Sequence, residues 1–186
     1  MIVGVAASGK TTLSLKLAQQ LNNSAYLSKD LIQSAFTRKE RLEGEIYTMV
    51  HGPSFHILVD FCAVQLDLGK IPIIDAPFSI NHWRNDEFSD WISFFKTVAT
   101  QKKARLAIIR CLPPNLEELK FRIKHRGYAW DQWKMDHWEE FLGREPVDFP
   151  INHDDLLEIF SDQPVENMVN HICINYLSGI KVDKNN

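Results

Sequence analysis

Gly4-Val5-Ala6-Ala7-Ser8-Gly9-Lys10-Thr11 is the stretch on which the fold turns. It satisfies G-x-x-x-x-G-K-[ST], the Walker A pattern, at every fixed position. A short apolar run, Met1-Ile2-Val3, precedes it. Thr12 to Leu21 follow, with Leu13, Leu17, Ala18 and Leu21 at helical spacing. Strand, glycine loop and helix in that order form a phosphate cradle. Gly4 and Gly9 allow backbone conformations that a Cβ would block. Successive N–H groups from Gly4 and from Ala6, Ala7, Ser8, Gly9, Lys10, Thr11 and Thr12 can then turn inward, at the positive end of a helix dipole. Lys10 would reach the β- and γ-phosphates of a nucleotide, and the Thr11 hydroxyl would bind Mg²⁺.

The bulk composition limits the alternatives. The chain has 186 residues, 45% of them hydrophobic, which suits one domain with a sizeable core. A net charge of −3 supplies no global basic field for nucleic acid, although a local basic patch stays open. Cys62, Cys111 and Cys173 are odd in number and contain no C-x-x-C, as expected of reduced core thiols in a cytoplasmic protein. The N-terminus has no cationic leader, and no apolar run is long enough to span a membrane. Only three residues precede Gly4, so the first strand is either very short or begins upstream of Met1.

Beyond the loop, apolar strand-like runs alternate with helical stretches, the pattern of an α/β fold with a parallel sheet. Strands are expected at about 1–5, 25–28, 71–75, 105–111 and 156–160. Helices are expected at about 12–21, 30–36, 45–68 (kinked near Gly52-Pro53), 91–103, 116–126, 128–142 and 165–177. In the 45–68 helix, Phe55, Leu58, Val59, Cys62 and Leu66 form one apolar row. Ile57, Phe61, Val64 and Leu68 form a second, so burial on most sides is expected. Residues 37–44 are charged and suit an exposed loop. Asn115 and Glu118 resemble a capping box, and Gly127 a C-terminal cap. One domain is expected over 1–180, with a lid at about 122–142 and a frayed tail at 181–186.

Four further residues suit phosphate chemistry. Asp75 ends the apolar strand Ile71-Pro72-Ile73-Ile74-Asp75, where a carboxylate can hold Mg²⁺ through water or can simply start a turn. Asp30 follows the second strand in Tyr26-Leu27-Ser28-Lys29-Asp30. It can take a proton from an attacking hydroxyl, cap the next helix, or do both. Lys29 beside it would hold an anionic acceptor or be solvated. Arg122 and Arg126, four apart on one helical face, would clamp phosphates and stabilise transferred charge, with Arg126 favoured for the transition state. The alternative is a solvated basic helix end. Trp130, Trp133 and Trp138 suit core packing better than base stacking. Tyr26, His51, Trp83 and Arg84 are candidates for an acceptor pocket, and the histidines show no metal-ligand spacing.

The P-loop, Ser28-Lys29-Asp30, Ile73-Ile74-Asp75 and Arg122-x₃-Arg126, in this order, resemble the small P-loop kinases. The nearest likeness is to the group of chloramphenicol phosphotransferase, the polynucleotide kinase domain and the zeta-toxin-like kinases; gluconate and shikimate kinases look more distant. The resemblance covers about residues 1–178. It implies a P-loop NTPase three-layer sandwich: a five-stranded parallel sheet, helices on both faces and a small helical lid. It also implies transfer of the γ-phosphate of Mg·ATP to a hydroxyl. The base falls on Asp30, the lid arginines on Arg122 and Arg126, and the strand-three acid on Asp75. Ser161-Asp162-Gln163-Pro164 would lie near adenine. The expected partners are ATP and a hydroxyl-bearing, small-molecule acceptor. A 5′-hydroxyl nucleic-acid kinase and a nucleotide-binding regulator without acceptor chemistry are the alternatives.

Overall fold

The computed structural model describes residues 1–37, 44–78, 91–128 and 131–178, with backbone only at 37, 44–49 and 51. His82, Trp83, Arg84, Trp130, the His51 side chain, most of the charged 37–44 segment and the 181–186 tail lie outside the described residues.

The strands are β1 (Ile2–Val3), β2 (Ser24–Ser28), β3 (Ile71–Asp75), β4 (Ile108–Leu112) and β5 (Leu156–Phe160). They pair in the order β2-β3-β1-β4-β5, every pair parallel, so all the carboxyl ends open on one edge. The helices are α1 (Lys10–Gln20), α2 (Lys29–Thr37), α3 (Gly44–Asp67), α4 (Trp91–Gln101), α5 (Leu116–Arg126), α6 (Gln132–Asp136), α7 (Trp138–Arg144) and α8 (Val165–His171). A π-helical turn, Ile172–Tyr176, continues α8.

Side chains along a strand alternate between faces, and the sheet uses that alternation to build two cores. Ile2, Ile73, Ile109 and Cys111 face α1 and α8, where they meet Leu13, Leu17, Met168 and Ile172. Val3, Ile74 and Ile108 face the other way, onto Phe55, Leu58, Trp91 and Phe95 of α3 and α4. A third core sits over the P-loop. Val5 packs with Leu119, Ile123 and Phe141, and Ala6, Ala7, Trp133 and Trp138 join it at the margin. Trp133 and Trp138 therefore pack, as expected of them.

Several expectations are corrected. β1 is only two residues long, because the chain enters the loop at Gly4. β4 starts at Ile108, not 105; Arg105 lies before it, paired with Asp155. The 128–142 stretch is two short helices broken at His137, whose φ of −125° and ψ of 49° leave the helical region. The helix expected at 45–68 is found as α3, with Pro53 inside it. Its second apolar row is open rather than buried: Ile57, Val64 and Leu68 are 42%, 54% and 62% exposed. A helix lying on a sheet buries one stripe, and the row of Phe55, Leu58 and Cys62 takes that place.

Candidate active site

The loop after β1 has the backbone that its glycines allow. Gly4 and Gly9 have φ of 145° and 100°, and Ala7 takes a left-handed φ of 62°. A Cβ at Gly4 would overlap Cys111 O and stand 2.8 Å from Ser8 Oγ. The Cys111 thiol, at the end of β4, donates to Ser8 O at 3.0 Å and props the loop from below. Burial pushes this thiol up to about 11, so it stays protonated and able to donate. Ser8 Oγ is buried without a hydrogen-bond partner among the described residues. Lys10 is buried and donates to Val5 O at 2.8 Å, within the loop's own ring.

Asp75 ends β3 directly across from the start of α1. Its Oδ2 accepts from Thr11 Oγ1 at 2.7 Å and from the Tyr26 hydroxyl at 3.3 Å. Parallel pairing of β2 with β3 sets Ser28 opposite Asp75, which carries Lys29 and Asp30 to the same edge. Burial raises the Asp75 carboxyl above its ordinary range, and the Asp30 charge adds to the rise. The Lys10 charge and the Thr11 hydroxyl oppose it. Tyr26, a candidate for an acceptor pocket, has its hydroxyl on Asp75 instead. Burial likewise raises its phenol.

Asp30 is exposed in the first turn of α2. It does not cap that helix: Ser28 Oγ accepts from Leu31 N at 3.0 Å and fills the role. The carboxylate makes no hydrogen bond or ion pair with the described residues. Lys29 is not solvated. It is 2% exposed, with its ammonium 5.0 Å from the centre of the Phe55 ring. Burial lowers its pKa to about 8, against the opposing pull of Asp30 and Glu145.

Arg122 and Arg126 take different partners. Arg122 Nε donates to Glu118 Oε1 at 2.7 Å. Its Nη1 and Nη2 donate to Ser161 Oγ and Ser161 O at 2.6 and 2.7 Å. This arginine ties α5 to the loop after β5. Ser161 in turn lies against Gly9, where a Cβ would meet Ser161 Cβ at 3.3 Å. Arg126 pairs side-on with Asp131 through Nε and Nη2. Neither arginine is a loose solvated end.

A groove of about 480 Å³ opens between Pro114-Asn115 and Ser161–Pro164, with Glu118 and Arg122 at its back. Its lining includes the Ser161-Asp162-Gln163-Pro164 loop after β5. Among the described residues, no cluster of three or more His, Cys, Asp or Glu has metal-binding geometry, and no helix is long and apolar enough to cross a membrane. Cys111 and Asp131 touch candidate site residues through contacts that the glycine motif does not reveal: Cys111 donates to Ser8 O, and Asp131 accepts from Arg126.

This sheet order and glycine loop define an α/β P-loop NTPase fold. The chain belongs to the AAA domain family, whose model matches residues 1–145. Its fold is similar to that of the APS kinase of Mycobacterium tuberculosis, solved with AMPPNP and APS. The TM-score is 0.65 at 14% identity, covering 96% of this chain and 95% of that one. It is also similar to a Chloroflexus aurantiacus protein designated a kinase by inference (TM-score 0.69, 21% identity, 93% and 95% covered). A gluconokinase from Sinorhizobium meliloti 1021 is a third (TM-score 0.55, 14% identity, 96% and 92% covered). None of the curated proteins compared with the chain matches it.

Proposed function

We propose that this protein is an ATP-dependent phosphotransferase that moves the γ-phosphate of Mg·ATP to a hydroxyl of a small-molecule acceptor. The observation that carries this reading is the convergence of Lys10, the Thr11–Asp75 pair and Asp30 on one sheet edge, at a loop shaped by Gly4 and Gly9. The residues present fit a polyphosphate: Gly4 and Gly9 hold the positive φ of a glycine loop, and Ser8 Oγ is buried with no hydrogen-bond partner among the described residues. The hard oxygen donors Thr11 and Asp75 fit Mg²⁺. When bound there, the ion would neutralise charge on the β- and γ-phosphates.

The chain's own residues then have these roles. The loop N–H groups from Gly4 to Thr12 and the Lys10 ammonium hold phosphate oxygens. Lys10 trades its bond to Val5 O for them. Asp30, exposed and engaged by no described partner, takes the proton of the acceptor hydroxyl as its oxygen bonds to Pγ. The bond from Pγ to the bridging oxygen breaks, and ADP leaves. Arg126 meets the transferred charge. Arg122 holds Ser161 and the wall of the base groove. We take residues 1–180 as one domain with its lid at about 122–142. The three cysteines, buried and free of disulfides, favour a cytoplasmic setting.

Transfer of labelled γ-phosphate from Mg·ATP into a small-molecule extract tests the reading. A labelled product is expected with wild type and not with Lys10→Ala, and Asp30→Asn is expected to slow its formation about a hundredfold or more. ATP binding without any product would refute the acceptor chemistry and favour a nucleotide-binding regulator.

A further inference from the structure

Asp131 is 3% exposed and carries two cations. Arg126 meets it with Nε and Nη2, and Lys134 Nζ reaches Oδ1 at 2.9 Å. The chain arrives there by local geometry. Gly127 ends α5 with a left-handed φ of 66°, and Asp131 N donates to Tyr128 O at 2.9 Å. Residue 131 thereby meets residue 126, five positions before it. The Tyr128 ring lies 5.0 Å from the Arg126 guanidinium carbon. The carboxylate thus fixes the guanidinium in its plane, and the ring bears on one face.

Two features set this arrangement apart from simple neutralisation. A side-on pair through Nε and Nη2 leaves the far edge, Nη1 with the second Nη2 hydrogen, available for another anion. No described residue takes Nη1. One carboxylate between two cations also leaves the group with a net positive charge. Burial alone would raise the Asp131 carboxyl. Hydrogen bonds and charges from Arg126 and Lys134 more than offset this and hold it below the ordinary carboxylate range, so it stays ionised.

We propose that Asp131 is the positioning residue of the lid: it orients Arg126 so that the free edge of the guanidinium meets the third phosphate of the nucleotide. This rests on the kinase reading above. Arg126 makes the contact, and Asp131 acts through it.

Calorimetric titration of the full chain with Mg·ATP and with Mg·ADP tests it, because the ratio of the two affinities isolates the third phosphate. Wild type is expected to prefer ATP. Arg126→Ala should lower that preference about tenfold, the scale of one charge-assisted hydrogen bond. Asp131→Asn should lower it by a similar factor, the double variant no further, and ADP affinity should stay within about twofold in each. A merely structural role would weaken both nucleotides together. Asp131→Glu keeps the charge but moves it; it should show an intermediate loss and serves if Asp131→Asn does not fold. A preference that is lost in Arg126→Ala but kept in the Asp131 variants would overturn the positioning role and leave nucleotide binding intact. A preference that rises in Asp131→Asn would also overturn it, making Asp131 a restraint. If Arg126→Ala changes nothing, the contact itself is refuted. A wild type that binds neither nucleotide would refute the kinase reading and this inference with it.

Discussion

A methyl group at position 4 would overlap Cys111 O while holding a φ of 145° that side-chain-bearing residues rarely adopt. Gly4→Ala is therefore expected to cost about 3 kcal/mol or more in urea unfolding, from backbone strain and overpacking together, and to abolish nucleotide binding. Asp75 makes a different residue-scale argument. Burial raises its carboxyl in the folded chain, so the folded state holds that proton more tightly than the unfolded chain does. Stability from this group is complete below the unfolded value of 3.8. It is lost as pH rises through the higher folded value. At neutral pH without metal, Asp75→Asn should thus melt higher than wild type, with the gain shrinking toward pH 4. Scanning calorimetry across that range checks the sign. The same variant should lose the Mg²⁺ dependence of nucleotide affinity. Lys10, Thr11 and Asp75 were legible because each sits at a fixed offset from a glycine or a strand end. Tyr26 on Asp75 and Cys111 beneath Ser8 were not, since their contacts span 49 and 103 positions.

At the scale of elements, α5 is the most fully written in local code. Asn115 Oδ1 accepts from Glu118 N at 2.8 Å and Gly127 closes the helix, both as the sequence implies. The reciprocal half of the capping box is missing because Glu118 turns to Arg122. The π-helical turn after α8 depends on a contact that no local pattern announces. The Tyr176 hydroxyl accepts from Ile108 N at 3.1 Å and donates to Asp155 O at 2.7 Å, joining the entries of β4 and β5. Tyr176→Phe removes the hydroxyl's bonds but leaves Ile108 N donating to Asp155 O at 3.1 Å, so neither group is orphaned. It should destabilise the protein by about 0.5–1.5 kcal/mol in urea unfolding, the net scale of a hydrogen bond. The open second row of α3 makes the same point in reverse. Apolar spacing shows that a stripe can be buried, but only the packing of β3, β4 and α4 selects which stripe is.

At the scale of the whole molecule, the third core joins the glycine loop to α5, α6 and α7, through Val5, Leu119, Ile123 and Phe141. A ligand held at the loop should then stabilise the whole chain. Mg·ATP at a hundredfold excess over Kd is expected to add about 2.7 kcal/mol to unfolding free energy. Thermal shift would read this gain, and Lys10→Ala should lose it. The α/β class, the phosphate loop, the strand-end acids and the α5 caps were all determined by the sequence itself, because each depends on residues a few positions apart and on backbone preferences that act locally. The sheet order, the shared edge of Asp30 with Asp75 and Thr11, and the parting of Arg122 from Arg126 were decided only by the tertiary structure. Each depends on which strands pair and how the chain returns over the sheet, and those are free energies of long-range packing that no short window of sequence contains.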